Sequence, residues 1–305
     1  MDGVLNVCKP AGPTSHDVVN SVRRIFSQKR AGHAGTLDPM ATGVLVICLG
    51  KATRIVEYLT ATQKHYRATL TLGVTTDTQD ATGSILSEKD ASNISIDEIR
   101  TAAGTFLGEI EQTPPMISAI KYQGKPLYKH AREGKTIERA PRTVTIYSIE
   151  VNPLNSPEGT ATTQVELCVK CSSGTYIRTL CADIGDVLGC GGMMSALQRT
   201  KVGQFTLDSA VSIPDMERAY EDGSLSSLVI SANEALSYMP AIEIDDRNAN
   251  RIRHGLSFVT DASLAEGSTV RIVSNGALLA IGIVERVDTD IWVRPRKVFV
   301  EEQLR

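Results

Sequence analysis

The sequence holds no apolar run approaching the roughly 20 residues that cross a bilayer as a helix. Met1-Asp2-Gly3-Val4-Leu5 also lacks the basic start and long apolar stretch of a secretion signal. A cytoplasmic protein with no membrane partner is therefore expected. Cysteine is sparse, six in 305 residues, which fits no dense disulfide framework and leaves thiols that pack as small apolar groups. Cys168-x-x-Cys171, with Cys181 and Cys190 downstream, has a zinc-like look. Strand periodicity would send 168 and 171 to opposite faces, and no histidine stands at ligand spacing, so no metal site is expected. A Walker loop, a strand-linked G-x-G-x-x-G and the H-x-E with P-C-x-x-C pattern of zinc deaminases are all missing, which argues against nucleotide triphosphates and dinucleotides as ligands and against deaminase chemistry. Positive charge is lacking too: the formal net value is −3, so nucleic acid could be held only by local basic faces and not by bulk charge.

What is present supports a large core, with hydrophobic residues at 42% of the chain, and a length that suits about two domains of unequal size. Two basic faces stand out. Between Ile117 and Arg142 lie Lys121, Lys125, Lys129, Arg132, Lys135, Arg139 and Arg142 against only Glu133 and Glu138, with Tyr122 and Tyr128 interleaved. Arg23, Arg24, Lys29 and Arg30 form the second. Either could be a solvated face, and the first is the better match to phosphate contact.

The most distinctive stretch is Gly32-His33-Ala34-Gly35-Thr36-Leu37-Asp38-Pro39-Met40-Ala41-Thr42-Gly43. Its glycines allow close backbone approach to a ligand, and Pro39 pushes Asp38 toward an extended conformation, so the carboxylate is displayed outside any helix. Val44-Leu45-Val46-Ile47-Cys48-Leu49 then reads as a strand buried on both faces that anchors the loop. The same residue types also make ordinary turns.

Before this loop, Val4 to Val7 is a short strand, Ser15 is placed to cap a helix, and Val18, Val19, Val22, Ile25 and Phe26 recur at helical spacing. After it, Ile55, Val56 and Leu59 share a helical face. Tyr66, Ala68, Leu70 and Leu72 alternate with polar residues as a half-buried strand, where Tyr66 serves either the core or a site. Thr75 to Gly83 is polar loop, with Asp77 and Asp80 suited to turns or to ligand hydroxyls. Ser95-Ile96-Asp97-Glu98 is a capping box. Met116 to Tyr122 has the look of a strand, Gln123-Gly124 of a turn, and the basic stretch to Gly134 of a short helix. Val144 to Val151 and Gln164 to Cys171 add two strands.

Cys171-Ser172-Ser173-Gly174-Thr175-Tyr176-Ile177-Arg178-Thr179-Leu180 is a strand end, a turn and a helix start. Arg178 falls in the first helical turn, where the macrodipole disfavours a cation, so an acidic compensation is required. An anionic ligand, Asp38, or a surface partner such as Asp183 or Glu166 would each supply it.

Four segments together, Gly32 to Pro39 with Ala41-Thr42-Gly43, Lys64-His65-Tyr66-Arg67, Thr76-Asp77-Thr78-Gln79-Asp80, and Gly174 to Leu180, resemble the bacterial TruB-type tRNA pseudouridine synthases in order and approximate spacing. The likeness runs over about residues 3 to 240. It implies that Asp38 is the catalytic aspartate, Tyr66 the active-site tyrosine and Arg178 the arginine that pairs with the aspartate and lowers its pKa. It further implies that Leu197 packs near the target base, that His33 stands beside flipped nucleotides, that Asp80 is a polar contact near the pocket, and that Tyr176, Lys64, Lys9 and Arg199 bind substrate RNA. Gln198-Arg199 departs from the two arginines that many members carry after the leucine, which weakens the case for one phosphate contact. The implied reaction turns the T-loop uridine at tRNA position 55 into pseudouridine, without cofactor or metal, with the tRNA T-stem-loop as partner and a monomer as the working form. Asp38 would either attack C1′ or assist removal of a 2′ proton, Tyr66 would stack on the uracil and take the C5 proton, and the base would be flipped out of its stack.

Beyond Met239-Pro240 the pattern changes to a short helix near Asn248 to His254 and three strands, Thr269 to Val273, Ala277 to Val284 and Ile291 to Phe299, with Ser274-Asn275-Gly276 as a hairpin turn. Its place and its Arg-Pro-Arg-Lys run resemble a PUA-type RNA-binding module, and its small size means that it should lean on the rest of the chain. The expected fold is α+β: a mixed, largely antiparallel central sheet flanked by helices over residues 1–240, the pseudouridine synthase fold, then a small β-rich module over 241–305. Two rivals of other classes share many of these residues. A tRNA-folding chaperone would keep the basic faces and not need Asp38. An aspartate-dependent glycosylase would release free uracil.

Overall fold

The computed structural model describes residues 1–154 and 163–299. The chain opens as a strand Gly3–Lys9, a helix Ser15–Ile25, a short strand Ala31–His33, a loop through Asp38, and the buried strand Thr42–Leu49. The helix buries Val18, Val19, Val22 and Ile25, as its spacing predicts. Its cap is Thr14, one residue earlier than expected. The Thr14 hydroxyl accepts from the Asp17 N–H, and the Asp17 carboxylate accepts from Thr14 in return. Ser15 is thereby free to turn inward.

Thr42–Leu49 is buried on both sides because both have cover. Leu45, Ile47 and Leu49 meet the first helix, while Val44, Val46 and Cys48 meet Ile55, Leu59 and Leu236. It lies in a central sheet whose strands run in the order Gly3–Lys9, Thr42–Leu49, Gly192–Val202, Lys64–Leu72, Gln164–Cys171, Arg142–Pro153 and Gly108–Gln112. Every neighbouring pair along this path is antiparallel except Thr42–Leu49 with Gly192–Val202. Tyr66, Ala68, Leu70 and Leu72 point to one face, against Ile177, Leu180 and Ile184 of the helix Ile177–Val187 and against Ile99, Ala102 and Ala103 of the helix Ile96–Gly104. The Ser95–Glu98 capping box forms as its sequence specifies.

One expectation fails for an identifiable reason. Met116 to Tyr122 is not a strand. It runs through bends to a two-residue strand, Lys121–Tyr122, paired with Lys125–Pro126. Pro114 and Pro115 offer no N–H for a ladder, and the carbonyls that follow are drawn to other partners. Gly108–Gln112, whose polar sequence hides its character, is the edge strand instead. The hairpin of Val74–Thr76 with Ile85–Glu88 brackets the polar loop that was expected.

The C-terminal part is a five-stranded sheet in the order Ala241–Glu243, Thr269–Ser274, Ala277–Val287, Asp290–Val298 and Phe258–Thr260, with the helix Asp246–Arg253 against it. Asn275 and Gly276 take φ of 52° and 75°, the left-handed pair that a two-residue hairpin needs. This sheet leans on the first. Ile281 enters the core beside Val46 and Ile55, Arg271 donates to the Met239 carbonyl at 3.1 Å, and Lys297 reaches Glu57 and the Arg54 carbonyl. Among the described residues no helix is long and apolar enough to cross a membrane.

The parallel pairing of Thr42–Leu49 with Gly192–Val202 depends on Gly43. It has φ of +98°, and a Cβ there would stand 2.2 Å from the Arg199 carbonyl oxygen. Gly43→Ala should therefore lose about 3 kcal/mol through backbone strain and overpacking. Urea unfolding measures this, and a change below about 0.5 kcal/mol, ordinary for a harmless site, would contradict it.

Candidate active site

The loop between Ala34 and Ala41 crosses the sheet where the parallel pair begins, and three buried polar side chains hold its backbone. The Ser15 hydroxyl donates to the Leu37 carbonyl and accepts from the Leu37 N–H, each at 2.8 Å. Lys9 Nζ donates to the carbonyls of Pro10, Pro39 and Ala41 at 2.9, 3.0 and 2.7 Å. Arg199 donates to the carbonyls of Val44, Thr36 and Gly35 at 2.8, 3.3 and 3.1 Å. The Gly12 N–H adds a bond to Pro39 at 2.9 Å. Buried cations are tolerated here because carbonyl dipoles surround them. The residues just before and just after Asp38 are thus fixed independently of Asp38 itself.

These contacts correct the reading of Lys9. It is 0% exposed and has three carbonyl acceptors for its ammonium, so it has no face to offer RNA. Arg199 lines the pocket, yet it too is spent mainly on the loop. Lys64 is buried with its ammonium on the Thr60 and Thr62 carbonyls at 2.8 and 2.9 Å. Burial pushes Lys9 and Lys64 down to about 8 in each case.

Asp38 stands at the end of this held loop, its side chain 34% exposed, with Oδ2 at 3.0 Å from Arg178 Nε. Arg178 is buried. Its remaining nitrogens donate to the Thr78 carbonyl at 3.0 Å and the Ile117 carbonyl at 2.8 Å, and Asp80 Oδ2 lies 3.5 Å away. The cation that the helix start disfavours is therefore compensated by two carboxylates. Asp80 does not line the pocket. Its other oxygen accepts from the Thr78 hydroxyl and from the N–H and hydroxyl of Thr82 at 2.8, 3.0 and 2.6 Å, so it backs Arg178 from behind. Arg178 lowers the Asp38 carboxyl as expected, but it is not the largest influence. Burial raises the carboxyl above its ordinary value, Arg178 and then Lys9 pull it down, Asp80 pushes it up, and the net direction is upward.

In front of Asp38 lies a cavity of about 330 Å³ lined by Lys64, Tyr66, Tyr176, Arg178, Leu197 and Arg199 among others, with Ser118, Ala119 and Ile120 closing one side. The Tyr66 ring is almost wholly buried. Burial raises its phenol pKa while the neighbouring Arg199 opposes the shift. Leu197 is half-buried and packs on the core that holds Tyr66. His33 ends its short strand beyond the residues that line the cavity. Its Nδ1 is buried with no hydrogen-bond partner among the described residues, and burial followed by Arg199 and His16 favours the neutral ring. The structure thus gathers Asp38, Arg178, Tyr66, Tyr176, Leu197, Lys64 and Arg199 round one cavity, sets Asp80 behind it, and turns Lys9 to the loop. Ser15, Gln112, Ile117 and the threonines round Asp80 also build the site. Of these, Ser15 drew notice in the sequence as a helix cap and the threonines as part of a polar loop, whereas Gln112 drew none.

Two family descriptions match the chain: "TruB family pseudouridylate synthase (N terminal domain)" over residues 23–177, and "tRNA pseudouridylate synthase B C-terminal domain" over residues 178–237. Among curated relatives, tRNA pseudouridine synthase B of Geotalea uraniireducens is 41% identical over 92% of this chain and 91% of its own length. That of Syntrophus aciditrophicus is 45% identical over 92% and 90%, and that of Alkaliphilus oremlandii 53% identical over 71% and 70%. Among solved structures, a chain of a Cbf5-Nop10-Gar1 complex superposes with a TM-score of 0.76 at 32% identity, covering 98% of this chain and 85% of that one. A chain of an H/ACA RNP bound to a substrate RNA containing 2'-deoxyuridine does so with the same score at 29% identity, covering 99% and 86%.

The pair of hydrogen bonds between Ser15 and Leu37 yields a direct check. Ser15→Ala leaves a buried N–H and a buried carbonyl unpaired, so stability should fall by about 1–3 kcal/mol. Hydrogen exchange should accelerate at the Leu37 amide before other amides of the sheet. Unchanged Leu37 protection would show that the serine does not hold the loop.

Proposed function

This chain belongs to the TruB family of pseudouridylate synthases, and on that premise we propose that it isomerises uridine 55 of the tRNA T-loop, with Asp38 as the carboxylate that acts on the sugar. The enzyme is a tRNA pseudouridine synthase, an isomerase. The observation that carries the assignment of Asp38 is its place: the carboxylate faces a cavity of about 330 Å³, hydrogen bonded by Arg178 Nε at 3.0 Å, on a loop whose backbone is held on both sides.

The reaction breaks the bond from N1 to C1′, turns the uracil and forms the bond from C5 to C1′. C5 loses a proton, N1 gains one, and nothing is oxidised or hydrolysed. A carboxylate is suited to either opening step, attack on C1′ or removal of a 2′ proton, and both draw on the same property. Burial makes Asp38 more basic than an exposed aspartate, while Arg178 keeps the charged form accessible. The developing cationic sugar is met by a carboxylate in a partly buried site, where charge is screened less than in bulk water. Tyr66 contributes its ring face to the uracil. Its hydroxyl is the candidate acceptor of the C5 proton. Leu197 supplies apolar contact, and the 118–120 wall closes over the base once it has left its stack.

Residues 241–305 serve in this reading as the PUA-like RNA-binding module, adding contact with the tRNA away from the cavity. The basic segment 121–142 lies beside the cavity wall and suits phosphate contact through its exposed lysines. The enzyme works as a monomer in the cytoplasm, where its substrate is.

Incubation with tRNA followed by nucleoside and free-base analysis tests the whole reading. The wild type should produce pseudouridine at one T-loop position and no free uracil. Asp38→Asn should bind tRNA and lower product formation roughly 10⁴-fold or more, as loss of a reacting group does. Pseudouridine formation surviving in Asp38→Asn would remove the carboxylate from the mechanism. Free uracil in place of pseudouridine would make the protein a glycosylase, and tRNA folding without modification would make it a chaperone.

A further inference from the structure

Gln112 ends the edge strand Gly108–Gln112 and is 2% exposed. Its whole amide is committed to one residue: Oε1 accepts from the Tyr176 N–H at 2.9 Å, and Nε2 donates to the Tyr176 carbonyl at 3.2 Å. Tyr176 is the extended residue that precedes the helix Ile177–Val187, and its side chain makes no capping hydrogen bond. A strand at the far edge of the sheet thus sets the peptide from which the Arg178 helix departs. From Gln112 the chain turns through Thr113, Pro114 and Pro115 to Ile117, whose carbonyl receives an Arg178 nitrogen at 2.8 Å. Arg178 is therefore located twice from the same strand end, once through the start of its helix and once through its guanidinium.

We propose that Gln112 is a positioning residue that sets Arg178 against Asp38, and through that contact governs the protonation of the reacting carboxylate. The proposal rests on the reading of Asp38 as that carboxylate. The physical link is short. One N–H of Arg178 faces Asp38 at 3.0 Å and its other bonds go to carbonyls and to Asp80, while Lys9, a second cation acting on Asp38, is held on the Pro10, Pro39 and Ala41 carbonyls independently of Gln112. A hydrogen bond of this kind weakens steeply with misalignment. If the Tyr176 peptide shifts, Arg178 shifts with it, while the burial and the Asp80 charge that push Asp38 toward its protonated form stay in place. A merely structural glutamine would lower stability without touching that balance.

The test uses the full-length chain with Gln112→Met, which keeps length and removes both hydrogen bonds, and Gln112→Asn, which keeps the amide but falls one methylene short. Single-turnover rate against pH, tRNA dissociation constant and urea unfolding are measured for each. Both variants should lower the neutral-pH rate roughly 10–100-fold, as small misplacements of reacting groups do. Both should move the acid limb of the rate upward by about one pH unit, a partial loss of a nearby opposite charge. The tRNA dissociation constant should stay within about twofold, a difference well under 1.4 kcal/mol. An acid limb that stays where the wild type has it, in either folded variant, overturns the proposal, and so does a rate loss explained wholly by weaker tRNA binding. Asp38→Asn in the same assay separates the two levels. Activity in that variant defeats the reading of Asp38, whereas an inactive Asp38→Asn beside unmoved acid limbs defeats only the role of Gln112.

Discussion

The contact between Asp38 and Arg178 is the constraint to which the rest of the site is fitted. Each partner is in a poor place for its own charge. Arg178 is a buried cation in the first turn of a helix, and Asp38 is a carboxylate whose burial raises its proton affinity. At 3.0 Å each makes the other tolerable, with Asp80 and the carbonyls of Thr78 and Ile117 completing the shell round the guanidinium. Such a pair adds little net stability, and Asp80 with the two carbonyls stays on the guanidinium when Asp38 is removed. Its value is chemical: a carboxylate of raised basicity that keeps access to its charged form.

That contact holds its geometry because both of its ends are fixed from elsewhere. Ser15 and Lys9 reach the Asp38 loop from the first helix and first strand, and Arg199 reaches it from the central strand Gly192–Val202. Gly43 lets this last strand approach the start of Thr42–Leu49 where a side chain would collide. The mixed sheet is thus more than a platform. Its single parallel pairing along the central path brings Arg199 beside both the loop and Tyr66, which pairs with Arg199 in the antiparallel register on the other side.

Much of this was legible in the amino-acid order, for reasons that differ from residue to residue. The strand through Val46 and the alternation from Tyr66 to Leu72 follow from burial on two faces or on one, which periodicity encodes directly. Arg178 announced its need for an acid because a cation at a helix start is a local conflict that only a distant residue can resolve. The roles missed are those done on backbone far away in sequence. Ser15 looks like a cap, Lys9 like an RNA contact and Gln112 like the end of a polar stretch, because nothing local records that their partners are the peptides of Leu37, Pro39 and Tyr176. The net direction at Asp38 was not legible for a related reason. A neighbouring arginine can be inferred from sequence, whereas the depth of burial that outweighs it belongs to the assembled fold.

The most direct test of this account is to titrate the Asp38 carboxyl itself, by carbon-13 NMR of labelled aspartate, in the wild type and in Arg178→Gln. Asp38→Asn supplies the assignment of the signal. The account predicts a wild-type midpoint above the ordinary aspartate range, where burial places it, and a further upward move when the guanidinium is removed. A midpoint at or below the ordinary range, or one that ignores the loss of Arg178, would contradict the claim that burial, opposed chiefly by Arg178, sets the charge of the reacting group.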